Sequence, residues 1–262
     1  MSNLIEQRRD GRILLSTLNR PEAANGIDSA MAEALEALAD EVQRDGTQID
    51  AVVLTGKGRV FCSGGDVGAF KQALSSADGP EGLSALLNEL ATRVHSAIER
   101  LAQAGPLLIA AVNGPATGAG LGLLCACDLA YANTKATLRA GFSRLGLSPD
   151  TGTTYFLPRI VGYRKALELL LRSDAVSAQA ALELGIFSEI IDATDEAFID
   201  QVLERTRALI ACGPAVQPTR RLLRQSATAA LQAQLLSEQH SLVQLATTPE
   251  VTAHLRKALG LG

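Results

Sequence analysis

Ile109-Ala110-Ala111-Val112-Asn113-Gly114-Pro115-Ala116-Thr117-Gly118-Ala119-Gly120-Leu121-Gly122 is the most informative stretch of this chain. The apolar run Leu107–Val112 reads as a buried strand. It breaks at Asn-Gly-Pro into small residues, and an apolar helix follows. Small residues let a ligand approach backbone N–H groups closely. A helix start also carries unpaired donors and partial positive charge. A second stretch has the same grammar: Arg59–Phe61 runs into Cys62-Ser63-Gly64-Gly65-Asp66-Val67-Gly68. Two such turns facing each other would place one N–H apiece on a single developing oxyanion. Taken alone, Gly64-Gly65 reads equally well as an ordinary turn.

A nucleotide-binding reading of these glycines fails. A G-x-G-x-x-G pattern begun at Gly118 meets Leu123, and one begun at Gly120 meets Cys125. No acidic residue stands about twenty positions further on to take a ribose. Neither turn leads into Gly-Lys-Ser/Thr, so a P-loop is excluded.

Outward from these turns, Arg12–Leu18, Ile49–Leu54, Asp128–Ala132 and Ile186–Ile191 also read as strands. Helical spacing appears in Ser29–Arg44 through Met31, Leu35, Leu38 and Val42, and in Leu83–Gln103 through Leu86, Leu90, Val94, Ile98 and Leu101. Strands alternating with helices predict an α/β fold with largely parallel pairing. After Asp192 the strand signals stop. Glu196–Ile210, Pro214–Gln225, Thr228–Ala246 and Pro249–Leu259 read as helices, which divides the chain into a core (1–192) and a helical C-terminal region (193–262).

Composition narrows the class. The 262 residues carry a net charge of −4, 3% aromatics and no Trp. With no dense basic run, nucleic acid is not an expected partner. The polar N-terminus lacks a signal-peptide core, and no apolar stretch approaches the ~20 residues needed to span a bilayer. Cys62, Cys125, Cys127 and Cys212 show neither metal-ligand nor disulfide-framework spacing. They are expected to be reduced and mostly buried, in a cytoplasmic protein without a metal.

Phe61–Asp66 and Ile109–Gly120 together resemble the paired oxyanion segments of the enoyl-CoA hydratase/isomerase (crotonase) superfamily. Asn19-Arg20-Pro21…Asn25, Gly146-Leu147-Ser148-Pro149-Asp150 and Phe156-Leu157-Pro158-Arg159-Ile160-Val161-Gly162 extend the match. The resemblance implies a spiral of ββα units with a helical C-terminal region, assembled as a homotrimer or hexamer. It implies an acyl-CoA substrate, with coenzyme A carried by the substrate and no separate cofactor. The thioester oxygen would sit between the N–H groups of Gly65 and Ala119, with Ser63, Gly64, Asp66 and Gly118 around it.

The resemblance also bears on the reaction. Hydratases of this family use two glutamates, whose positions fall here on Gly122 and Phe142, neither of which carries a proton. Asp150 stands where certain enoyl-CoA isomerases, and the ring-epoxide isomerases of phenylacetate breakdown, place their acidic base. A single carboxylate suits a double-bond shift, because it abstracts a proton at one carbon and returns it at another. Leu147 and Phe142 are expected to desolvate it. Asp150 reads alternatively as a helix N-cap. Hydration through a replacement residue, another reaction of the family, and a non-catalytic acyl-CoA-binding subunit remain alternatives to isomerisation.

Other groups read as background. Asp66 is expected to cap a helix beginning near Val67. His95, His240 and His254 lie on predicted helices without a partner pattern. Ser63 lacks a His–Asp relay for covalent catalysis, and Cys62 reads as lining beside the thioester. Arg59, Arg256 and Lys257 read as solvated charge with a possible role at the CoA phosphates.

Overall fold

The computed structural model describes residues 4–226. The expected helices Thr228–Ala246 and Pro249–Leu259 lie outside the described residues, as do His240, His254, Arg256 and Lys257.

The chain opens with a hairpin, β1 (Ile5–Asp10) and β2 (Ile13–Leu18), whose tight turn uses Gly11 at φ 58°. Helix α1 (Ser29–Arg44) follows, its first turn held by the Asp28 carboxylate accepting the Met31 N–H at 2.9 Å. Strand β3 (Ala51–Gly56), helices α2 (Val67–Leu74) and α3 (Gly79–Gln103), then β4 (Leu107–Val112), β5 (Ala116–Thr117) and α4 (Ala119–Ala126) carry the glycine-rich turns between them. The second half contains β6 (Leu129–Asn133), β7 (Thr137–Arg139), α5 (Thr153–Val161), α6 (Tyr163–Arg172), β8 (Val176–Ser177), α7 (Ala178–Glu183), β9 (Glu189–Ile191), α8 (Asp195–Ile210) and α9 (Val216–Ser226).

Among the described residues six strands form the main sheet in the order β1-β2-β3-β4-β6-β9, parallel from β2 onward. A second sheet joins β5, β7 and β8, and a bridge between Cys62 and Ala116 extends it toward the first turn. The chain therefore repeats one device. It runs a strand through the main sheet, touches the second sheet, and returns by a helix: β3–Cys62–α2, β4–β5–α4, β6–β7–α5.

The apolar runs follow from burial on both faces. Val52, Leu54, Leu108, Ala110 and Val112 face a core shared with α1, α3 and α4. Their alternates Ala51, Val53, Leu107, Ile109 and Ala111 face a second core closed by Phe198, Val202 and Leu203 of α8. Helix α9 is fastened by charge: buried Arg220 and neighbouring Arg224 grip the Asp128 carboxylate at 2.5 and 2.6 Å, and Arg220 also donates to the Ala104 carbonyl.

One strand is not read from the sequence, and one expected strand needs correction. The polar N-terminus forms β1, an edge strand whose residues Glu6–Arg9 are exposed, so no apolar alternation marks it. The strand expected over Ile186–Ile191 is confined to Glu189–Ile191.

Candidate active site

The two glycine-rich turns are in backbone contact. Thr117 N–H donates to the Cys62 carbonyl at 2.9 Å, while Phe61 and Cys62 N–H groups donate to the Pro115 carbonyl at 3.1 and 3.3 Å. A methyl on Gly120 would stand 2.2 Å from the Cys62 oxygen. Gly64, at φ +91°, packs so closely that a Cβ would lie 2.7 Å from the Thr117 oxygen and 3.1 Å from the Ala119 nitrogen. Glycine at these positions is what lets the two segments meet.

This contact brings two free donors together. Ile27 N–H donates to the Gly64 carbonyl (2.7 Å) and Asp66 N–H to the Ile27 carbonyl (2.9 Å), a parallel bridge that directs the Gly65 N–H the other way. Ala119 is the first residue of α4, where an N–H has no intrahelical acceptor. Among the described residues neither Gly65 nor Ala119 N–H finds an acceptor. Such a pair suits negative charge developing on a carbonyl oxygen.

The residues around the first turn serve as its frame. Asn25, fully buried, donates through Nδ2 to the carbonyls of Lys57 (3.1 Å), Val60 (2.7 Å) and Phe61 (3.3 Å). Asp66 caps α2, accepting from Gly68 and Ala69 N–H at 2.7 and 3.2 Å. Its other oxygen receives Arg20 at 2.6 Å, and Arg20 also reaches the Asp28 carboxylate. Partial burial works to raise the Asp66 carboxyl, but Arg20 and the two N–H donors outweigh it and hold it below the usual carboxylate range. Both Asp66 oxygens are thus engaged in holding this turn. Ser63 and Gly118 are half-buried on either side of the contact.

Asp150 lies in the segment before α5. The alternative role of Asp150 as an N-cap is not realised there. The Asp150 backbone carbonyl accepts the Thr153 N–H (3.0 Å) and hydroxyl (2.6 Å), while the cap position is Gly152. The carboxylate instead meets His95 of α3, Nε2 to Oδ1 at 2.5 Å. Leu147 is exposed and the Asp150 side chain stays 42% accessible, so the expected apolar enclosure is not supplied by these neighbours. A cleft of about 970 Å³ opens beside the pair, lined by His95, Pro149, Asp150, Tyr155, Phe156 and Arg220 among others. Its lining stops short of the glycine turns. The link between the two is Gly122 of α4, which packs against Thr151, the neighbour of Asp150.

Burial disqualifies the nearest thiol as a nucleophile: it pushes Cys62 up to about 12, against a weaker opposing pull from the Gly64 backbone. All four cysteines are free; Cys62 and Cys125 are buried, Cys127 is half-buried, and Cys212 is exposed. Among the described residues no helix is long and apolar enough to cross a membrane.

Residues 8–258 match the family model described as enoyl-CoA hydratase/isomerase. The chain belongs to the enoyl-CoA hydratase/isomerase family. A probable enoyl-CoA hydratase of Rhodobacter capsulatus is 39% identical over 68% of this chain, a match spanning 65% of that protein's length. The 1,2-epoxyphenylacetyl-CoA isomerase of Escherichia coli is 36% identical over 79% of this chain and 74% of its own. A 4-chlorobenzoyl coenzyme A dehalogenase of an Arthrobacter species is 35% identical over 73% of this chain and 67% of its own. The crystal structure of an enoyl-CoA hydratase from a Polaromonas species superposes with a TM-score of 0.87 at 28% identity, covering 98% of this chain and 96% of that one. The ββα spiral read from the sequence is thus the fold of this chain.

Sequence reasoning missed His95, because its partner lies 55 residues away and no local pattern marks the pairing.

Proposed function

We propose that this chain is an acyl-CoA enzyme that stabilises a thioester enolate and shifts a carbon–carbon double bond. The thioester oxygen sits between the Gly65 and Ala119 N–H groups, walled by Ser63, Gly64 and Gly118, with Asp66 holding the turn. Asp150 takes a proton from C2 of a 3-enoyl thioester. The C–H pair becomes the C1–C2 bond of a dienolate, whose charge rests on the thioester oxygen. Collapse restores the carbonyl and moves the double bond to C2–C3, while C4 receives the proton from Asp150. The carboxylate is regenerated, and the reaction needs no cofactor beyond the CoA of its substrate. His95, with its proton on Nε2, orients the carboxylate.

The observation that carries this reading is the His-paired carboxylate Asp150, in a chain whose residues at the two hydratase positions of the family resemblance are Gly122 and Phe142. The test uses 3-enoyl-CoA and 2-enoyl-CoA of several chain lengths with wild type and Asp150→Asn. Conversion of 3-enoyl to 2-enoyl thioester is expected, falling about 10²–10⁴-fold in the variant at unchanged melting temperature. Hydration that survives in Asp150→Asn would defeat the isomerase reading.

The same pair supports a second reading, hydrolytic dehalogenation. Asp150 would attack a halogen-bearing ring carbon, expelling halide, and water deprotonated by His95 would cleave the aryl ester. Chloride release from 4-chlorobenzoyl-CoA, with solvent ¹⁸O entering the Asp150 carboxylate, would select it. For assembly, the exposed row Tyr163, Leu167 and Leu171 on α6 supports a homotrimer or hexamer. A monomer mass by light scattering would contradict that.

A further inference from the structure

Gly122 and Ala119 lie three residues apart on α4, on one face of the helix and one turn from each other. Gly122 is buried, and a Cβ built on it would stand 2.6 Å from Thr151 Cβ, 2.6 Å from Thr151 O and 2.8 Å from Thr151 Cγ2. Thr151, backbone and side chain together, therefore fills the space a side chain at 122 would need. Thr151 pays a conformational cost to be there. It is β-branched yet sits at φ +59°, it is 1% exposed, and its Oγ1 has no partner among the described residues. A residue strained and unsatisfied in this way is held by its surroundings rather than by its own preferences. On its far side the chain is pinned by Thr153, fully buried and bonded to the Asp150 carbonyl.

We propose that Gly122 and Thr151 form a lock that selects the reaction: Thr151 is a positioning residue that sets Asp150 against Ala119, and the missing side chain at Gly122 makes room for it. The path from the oxyanion donor to the proton-moving carboxylate is then one helical turn, one packing contact and one peptide bond. In this chain a side chain introduced at 122 meets Thr151 first and, through it, the backbone that carries Asp150. The proposal rests on the isomerase reading only for the activity that the lock governs.

The test compares Thr151→Gly, which keeps the left-handed backbone but removes the wedge, with Thr151→Val, which keeps the wedge and removes the hydroxyl. Thr151→Gly is expected to lower kcat on 3-enoyl-CoA about a hundredfold at unchanged KM. Its His95 ¹⁵N imidazole resonances should move toward those of Asp150→Asn, while Thr151→Val keeps wild-type resonances and most of kcat. The imidazole signal reads the lock without turnover, so an inactive wild type would defeat the isomerase reading and leave the lock to be judged by resonance. Gly122→Ala should lower the melting temperature, and Thr151→Gly in the same chain should recover part of the loss. The lock is overturned if Thr151→Gly keeps wild-type resonances, if valine perturbs them as glycine does, or if Gly122→Ala melts like wild type.

Discussion

The two glycine-rich turns and the Asp150 corner are built on opposite plans. Around Gly64, Gly65 and Ala119 the proposed functional atoms are backbone N–H groups, fixed by β-bridges, by Asn25 and by glycine contacts that leave no room for a Cβ. Around Asp150 the proposed functional atoms belong to two side chains, each about half exposed, meeting beside a cleft. A backbone device is hard to alter by substitution and serves any thioester. A side-chain device is replaced by changing one or two residues. On the proposed reading, this fits relatives that carry hydratase, isomerase and dehalogenase names.

Substitutions on the two sides should fail differently. Gly64→Ala strains a backbone at φ +91° and pushes a methyl against Ala119 N, so it should lower turnover about 10²–10³-fold on every substrate and lower the melting temperature as well. Survival of turnover in that variant would show that the turns do not need their contact. His95→Ala should act on one side only: about a tenfold loss in kcat, an unchanged KM and unchanged melting, because the ring is half exposed. A melting loss as large as that of Gly64→Ala would mean that the corner is a structural element.

The smallest effect concerns Asp66. Its folded carboxyl titrates below its unfolded value, so its contribution is complete above the ordinary carboxylate range and is lost as pH falls through the depressed folded value. Asp66→Ala should cost about 1 kcal/mol at neutral pH. The gap between wild type and variant should close on acidification, as read by urea unfolding across pH. A gap independent of pH would remove the Arg20 pairing from the account.

Much of the backbone plan was legible because it obeys local rules. Leu107–Val112 and Ser29–Arg44 announce their elements through apolar period and end where the structure ends them. Asp66 reads as a cap because a cap is made with residues two and three further on. What escaped was non-local or masked by exposure. Strand β1 hides in an exposed charged stretch, and His95 pairs with a carboxylate on another element. Thr151 shows nothing in sequence of its left-handed backbone, and the reading of Asp150 as a cap mistook a role that its carbonyl and Thr153 fill.

The central claim is that one set of donors holds the enolate while one carboxylate moves the proton. Exchange of the C2 protons of a saturated acyl-CoA in D₂O, followed by NMR for wild type, Gly64→Ala and Asp150→Asn, tests it directly. The account predicts exchange in wild type, and its loss in both variants, with acyl-CoA affinity kept in Asp150→Asn. Exchange at the wild-type rate in Asp150→Asn would contradict it, since another group would then be removing the proton.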